Sequence, residues 1–177
     1  MGKFTEFKLM LKSLPEGKHH FEYHLGKEFF TNMENTDVRD ADAKVDLDVE
    51  YRRGSFLLSF HLFGSLTVLC DRCLDELPID VDSTYELTVK YGDEYNNDSD
   101  SLLILPESDN YLNVAYMIYD TAVLAIPPRH VHAPGKCNRA MSALNRQYAC
   151  RLDSDDDDGE GSGDSESGFD ADQNFED

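Results

Sequence analysis

The sequence predicts an α+β domain built mainly from an antiparallel β-sheet, with one principal buried helix and a Cys-x2-Cys knuckle. Three observations support this fold class: runs in which apolar and charged residues alternate, one apolar segment closed by two prolines, and a close pair of cysteines. Alternation with a period of two is typical of strands that bury one face. We predict one domain over residues 1–150 and a disordered acidic tail over residues 151–177.

Three consecutive strands are predicted in the middle of the chain. Residues 45–51 alternate between apolar and acidic side chains, and residues 56–69 are rich in Phe, Leu and Val. Residues 79–91 alternate again. An Arg-Gly turn at 52–55 joins the first two runs, so we expect an antiparallel meander. Gly64 lies inside the second run and predicts a bulge, because glycine within a strand often marks one.

Shorter elements are predicted on either side of this meander. Apolar residues recur in residues 4–11 and alternate in residues 21–25, which indicates two short strands over residues 4–11 and 19–25. A polar connection is expected over residues 26–42, an acidic loop over 92–101 and a short strand over 102–105.

The apolar segment at residues 113–126 predicts the principal helix. Asn113 can act as its N-cap by accepting a hydrogen bond from a free backbone N–H group. Pro127 and Pro128 end it, because neither residue can donate a backbone hydrogen bond. Its apolar residues form a wide stripe, so we expect the helix to be largely buried.

Charge is distributed very unevenly along the chain. The net charge is -20, and residues 151–177 contain 12 acidic residues and one Arg. This composition cannot bury enough apolar surface to offset the cost of ordering, which predicts disorder. Residues 127–151 contain no Asp or Glu, and their basic residues include Arg129, Lys136, Arg139 and Arg146. These four either contact RNA or another partner, or they neutralise the acidic body. A tethered acidic tail could compete with RNA for them.

The four cysteines are interpreted in the context of a reducing compartment. The first residues lack the apolar region of a secretion signal, and no apolar run is long enough for a transmembrane helix. We therefore expect a cytoplasmic protein with no membrane partner. In the cytoplasm, cysteines are more often metal ligands, redox thiols or buried residues than disulfides.

Two distant pairs of residues predict one metal site. Cys70 and Cys73 form a Cys-x2-Cys turn, and two thiolates on one turn can approach the same ion. His132 and Cys137 flank a second turn, Ala-Pro-Gly-Lys. Together they form a Cys3His set suited to zinc. Because four protein ligands leave no open coordination position, the predicted zinc is structural.

Other interpretations of these residues remain open. The cysteine pair could be inert and buried, or it could bind metal while His132 is a surface residue. A redox pair is a further alternative, although such pairs usually lie at the start of a helix rather than between two strands. His130 is an alternative fourth ligand, farther from Cys137 in sequence. Cys150 is expected to be a free thiol.

The motif Cys70-Asp71-Arg72-Cys73-Leu74 lies in a β-rich region and is followed by an acidic loop, a helix, a proline break, Val131-His132 and Cys137. This pattern resembles the YceD-like family of large ribosomal RNA subunit accumulation proteins over roughly residues 40–140. The resemblance implies a non-enzymatic role in ribosome assembly. The implied partners are ribosomal RNA, a ribosomal protein or both, and no DNA partner is expected. The alternatives are an acidic protein-binding adaptor and a metal or thiol redox enzyme.

Overall fold

The structure is a computed structural model that describes residues 4–148, so Cys150 and the predicted acidic tail lie outside it. The strands are β1 (Lys8–Leu9), β2 (Gly17–Gly26), β3 (Asp40–Arg52), β4 (Ser55–Leu69), β5 (Glu76–Gly92), β6 (Asn96–Ser99), β7 (Leu102–Pro106) and β8 (Leu112–Asn113). The helices are α1 (Lys27–Asn32), α2 (Ala115–Leu124) and α3 (Arg139–Tyr148). Two 3-10 turns, Thr5–Phe7 and Leu11–Ser13, flank β1.

The main sheet has six strands in the order β2-β3-β4-β5-β7-β6. Strands β2 to β5 pair antiparallel, each with the next, so the predicted meander is confirmed. Strand β7 pairs parallel with β5, and β6 pairs antiparallel with β7. Strands β1 and β8 form a separate antiparallel pair. The architecture is α+β with a mostly antiparallel sheet, as the alternating pattern predicted.

The hydrophobic core lies on one face of the main sheet. Helix α2 packs against β4 and β5, and α1 packs against β2 and β3. Alternate residues of the strands point into this core because successive side chains of a strand face opposite sides. The buried hydrophobic residues of the main-sheet strands are Leu25, Ala43, Val45, Leu47, Val49, Phe56, Leu58, Phe60, Leu62, Leu66, Val68, Val81, Leu87, Val89, Leu103 and Leu105. The opposite face carries most of the charged residues, which accounts for the clear alternation in the sequence.

Gly64 does not form the predicted bulge. Pairing of β4 with β3 and β5 continues through it without a shift in register, so the prediction of a bulge is wrong. Its φ angle is +142°, and a Cβ atom at this position would lie 2.5 Å from the Ala43 Cα atom. The glycine therefore allows β3 to approach β4 closely.

The N-terminal segment is the second correction to the predicted fold. Residues 4–11 contain a two-residue strand between 3-10 turns instead of one continuous strand. Phe7, Leu9 and Leu11 are nevertheless buried. The alternating pattern correctly identified the inward side chains, but a compact turn buries them as well as an extended strand does.

Helix α2 is less buried than expected. Ile118 and Ala122 are fully buried, whereas Tyr116 and Leu124 are 62% and 84% exposed. The helix packs on one side of a sheet, so only one of its faces is covered. The helix begins at Ala115, so Val114 and not the predicted Asn113 is its N-cap, although the Asn113 Oδ1 atom accepts a hydrogen bond from the Ala115 N–H group at 3.0 Å.

Four helices and strands had not been predicted. Helix α1 lies within the expected polar connection, β6 lies within the expected acidic loop, β8 precedes α2, and α3 follows the proline break. None of the α3 residues is buried. Within residues 4–148, no helix is both long and apolar enough to cross a membrane.

Candidate metal centre

The Cys70–Cys73 pair lies on the turn that joins β4 to β5. The Leu74 N–H group donates to the Cys70 carbonyl at 2.9 Å, and the Cys70 N–H group donates to the Asp75 carbonyl at 2.9 Å. Leu74 has a φ angle of 61°, in the left-handed region that reverses the chain tightly. These bonds close the knuckle and hold both thiols on a short rigid segment.

The segment after α2 is tied to this knuckle by a reciprocal pair of hydrogen bonds. The Asp71 N–H group donates to the His130 carbonyl at 3.0 Å. The Asp71 carboxylate accepts a bond from the His130 N–H group at 2.8 Å. Beyond this contact, the Lys136 N–H group donates to the Ala133 carbonyl at 3.0 Å and forms the predicted turn. These hydrogen bonds place His132 and Cys137 beside Cys70 and Cys73.

The structure brings Cys70, Cys73, His132 and Cys137 together, with their potential ligand atoms all within 4.8 Å of one another. The Cys70 and Cys137 Sγ atoms are 3.9 Å apart. The Cys73 Sγ atom is 3.4 Å from the His132 Nδ1 atom. Zinc bonds of about 2.3 Å to sulfur and 2.0 Å to nitrogen place tetrahedral ligand atoms roughly 3.5 to 3.8 Å apart. The two separations of 3.9 and 3.4 Å are close to this spacing, so the four residues could hold one tetrahedral ion.

The ring of His132 is oriented by its second nitrogen. The Nε2 atom lies 3.2 Å from the Glu76 carbonyl oxygen, which can only accept a hydrogen bond. Nε2 therefore donates to this carbonyl, and Nδ1 is the nitrogen that faces the thiols; hydrogen bonding to Cys70 is the main cause that raises the pKa of His132. Metal-binding histidines are usually oriented by such a partner on the nitrogen that does not bind the metal.

The electrostatics of the cluster favour a cation. Burial alone would raise the pKa of the Cys70 thiol. Hydrogen bonds from the backbone N–H groups of His132, Arg72 and Cys73 outweigh burial, and the pKa falls from 9.0 to about 6. Burial and the neighbouring sulfur atoms raise the pKa of Cys137, because a second negative charge beside a thiolate is unfavourable. A divalent cation would neutralise both thiolates and remove this conflict.

His130 lies outside the cluster. Its Nε2 atom is 3.3 Å from the Asp71 carboxylate, and its Nδ1 atom is 3.1 Å from the Pro127 carbonyl oxygen. Both ring nitrogens therefore have other partners, and His132 is the histidine that the structure places beside the thiols. The Cys70–Cys73 pair lies between two strands and not at the start of a helix, which disfavours the redox alternative.

The four basic residues that were predicted to contact RNA or another partner do not share one surface. Arg129 and Arg146 line one groove of about 760 Å³ beside the knuckle. Lys136 and Arg139 do not line this groove. Lys136 lies in the turn between His132 and Cys137, and Arg139 is the first residue of α3. Arg72 does line it and was missed. Its position between two predicted ligands was the available signal, but the motif was interpreted only for its cysteines.

A second group of possible ligands, His20, Glu22 and Asp46, also has its atoms within 4.8 Å of one another. Unlike the cysteine cluster, it lies on the solvent face of the sheet, and His20 and Glu22 are exposed. The His20 Nδ1 atom is already 2.8 Å from the Asp48 carboxylate. These residues are explained by cross-strand pairing and do not define a metal centre.

Fold and site together define a class: a small β-rich domain in which a closed Cys3His cluster joins the sheet to the segment after its principal helix. A family model described as large ribosomal RNA subunit accumulation protein YceD matches residues 58–172. The chain belongs to this YceD family. The match includes both halves of the cluster, and it begins within β4, later than the resemblance suggested. No curated protein and no solved structure matches the chain.

Proposed function

We propose that this protein is a non-enzymatic assembly factor that supports accumulation of large-subunit ribosomal RNA in the cytoplasm. The family match over residues 58–172 is the observation that carries this proposal. The partner is ribosomal RNA, a large-subunit ribosomal protein or both. The role is that of a binding factor, since four protein ligands around an ion leave no position for an activated water molecule.

In this proposal Cys70, Cys73, His132 and Cys137 hold one zinc ion with a structural role. The separation of their ligand atoms and the orientation of His132 support zinc. The ion fastens the segment after α2 to the end of the sheet. Because this segment contributes no buried residue of its own through α3, metal binding supplies the free energy that hydrophobic packing does not.

Deletion of the gene in its host tests the proposed function. We expect the ratio of large-subunit to small-subunit ribosomal RNA to fall, and free small subunits to accumulate in sucrose gradients. Re-expression of the wild-type chain should restore the ratio, whereas the Cys73→Ser variant should not. An unchanged ratio and an unchanged ribosome profile in the deletion strain would refute the role.

A pull-down distinguishes this role from that of an acidic adaptor unrelated to ribosomes. The tagged full chain should enrich precursor large-subunit ribosomal RNA or large-subunit ribosomal proteins over their small-subunit counterparts. An adaptor would instead retain other proteins and show no such preference.

A further inference from the structure

A groove of about 760 Å³ runs between the knuckle and α3. Its lining includes Arg72, Arg129 and Arg146, together with Asp71, Ser142 and Asn145. We propose that this three-arginine groove binds the phosphodiester backbone of ribosomal RNA. The inference rests on the proposed function and deepens it, because it assigns direct RNA contact to one surface.

The charges of the groove support an anionic ligand. Among residues 4–148, no carboxylate forms an ion pair with Arg72, Arg129 or Arg146, although the chain has 36 acidic residues. The Asp71 carboxylate lies in the groove, but it accepts a hydrogen bond from the His130 N–H group and is 3.3 Å from the His130 ring. The three arginines and one aspartate that line the groove therefore carry a formal net charge of +2, within a protein whose overall charge is -20.

Arginine is the residue best suited to bind phosphate. Its planar guanidinium can donate two parallel hydrogen bonds to a phosphate group, and it stays charged at any physiological pH. Ser142 and Asn145 add neutral hydrogen-bonding groups to the same groove. An acidic protein surface that repels RNA everywhere else would restrict binding to this groove.

The predicted metal cluster holds the groove together. Arg72 lies between Cys70 and Cys73, so its backbone is fixed by the knuckle. The Asn145 side chain donates a hydrogen bond to the Arg72 carbonyl, which ties α3 to the same turn. Arg129 precedes the segment held by Asp71. All three arginines are thus positioned by elements that meet at the cluster.

The test measures binding of a fluorescein-labelled transcript of large-subunit ribosomal RNA to the full chain by anisotropy over a range of salt concentrations. Each of Arg72→Gln, Arg129→Gln and Arg146→Gln should weaken binding about tenfold. Each should also reduce the slope of log affinity against log salt by about 1. Lys18→Gln on β2 is the matched control, since it removes the same charge from an exposed site at the far end of the sheet. Circular dichroism and metal content of every variant confirm that folding is unchanged.

Four outcomes would overturn the proposal. The arginine variants could bind the transcript no more weakly than Lys18→Gln does. The wild-type chain could fail to bind the transcript at all. A poly-glutamate peptide could bind in place of RNA, which would assign the groove to an acidic protein. If the triple arginine variant restored the RNA ratio fully in the deletion strain, the groove assignment would fail while the assembly role would stand.

Discussion

The Nδ1 atom of His132 lies 3.4 Å from the Sγ atom of Cys73, although the two residues are 59 positions apart in the chain. Cys73 belongs to the turn between β4 and β5, and His132 follows the proline break after α2. Their contact joins the end of the sheet to a segment whose helix, α3, has no buried residue. This relationship is why the cluster matters to the architecture and to any surface built around it.

His132 and His130 are predicted to differ in their effect on metal binding. Loss of a residue that only orients a ligand typically costs about 10- to 100-fold in metal affinity. His132→Ala removes a proposed ligand and should cost more than that. His130→Ala is the matched control, because its ring nitrogens face Asp71 and Pro127 instead of the thiols. Competition with a coloured zinc chelator measures both affinities, and equal losses would show that His132 is not a ligand.

Gly64→Ala should be one of the most damaging small substitutions in the sheet. Its new Cβ atom would lie 2.5 Å from backbone atoms of Ala43 and Asp42, and its φ angle of +142° disfavours any side chain. We expect the free energy of unfolding to fall by about 2 to 4 kcal/mol. Urea denaturation checks this value.

Gly54→Ala separates the two causes of that loss. Gly54 also has a positive φ angle, 78°, but a Cβ atom there would meet nothing within 4 Å. It should lower the free energy of unfolding by only about 1 kcal/mol. Similar losses for the two variants would mean that close approach of β3 and β4 is not the reason for Gly64.

The meander and the identity of the clustered residues could be predicted because both leave local signals. Alternation of apolar and charged residues indicates which face of a strand is buried, and a compact turn between two metal-binding residues predicts a chelating loop. Gly64 was misinterpreted because the need for it comes from Ala43 on the neighbouring strand, which nothing in the local sequence reveals.

Neither helix α3 nor the position of Arg72 in a groove was predicted from the sequence. The apolar residues Met141, Leu144 and Tyr148 recur at helical spacing, but they lie within a basic segment that was interpreted for its charge, and none of the α3 residues is buried. Arg72 becomes part of a groove only when Asn145 and Arg146 are brought to the knuckle. Such a juxtaposition depends on the tertiary fold and cannot be inferred from spacing.

The pKa of His20 is predicted to lie above 6.5. The dominant cause is the hydrogen bond to the Asp48 carboxylate on the neighbouring strand, at 2.8 Å. Because the folded-state pKa is raised, the pair stabilises the fold fully below about pH 6.5, and the contribution is lost as the pH rises through the folded-state pKa. The contribution of this pair to the stability of the fold is small, since both side chains are largely exposed.

Titration by NMR checks this shift. Asp48→Asn should lower the pKa of His20 toward 6.5, because a neutral amide no longer favours the charged ring. Asp80→Asn on β5, three strands away from β2, removes the same charge and should leave the pKa of His20 in place. Identical titration curves for wild type and Asp48→Asn would contradict the assignment.

The acidic tail is predicted to compete with RNA for the three-arginine groove. Residues 152–177 carry 12 acidic and no basic residues, and tethering gives them a high effective concentration near α3. A chain ending at Arg151 should bind the ribosomal RNA transcript more tightly at low salt, with the difference shrinking as salt screens the charges. Unchanged affinity of the shortened chain at every salt concentration would eliminate the competition.

Elemental analysis of the purified full chain by mass spectrometry measures whether the four clustered residues hold an ion. Since Cys70, Cys73, His132 and Cys137 have ligand atoms within 4.8 Å of one another, the account predicts one zinc ion per chain. It also predicts loss of that ion, together with loss of folding, in the Cys70→Ser variant. A folded wild-type chain that contains no metal, even after incubation with zinc under reducing conditions, would contradict the account.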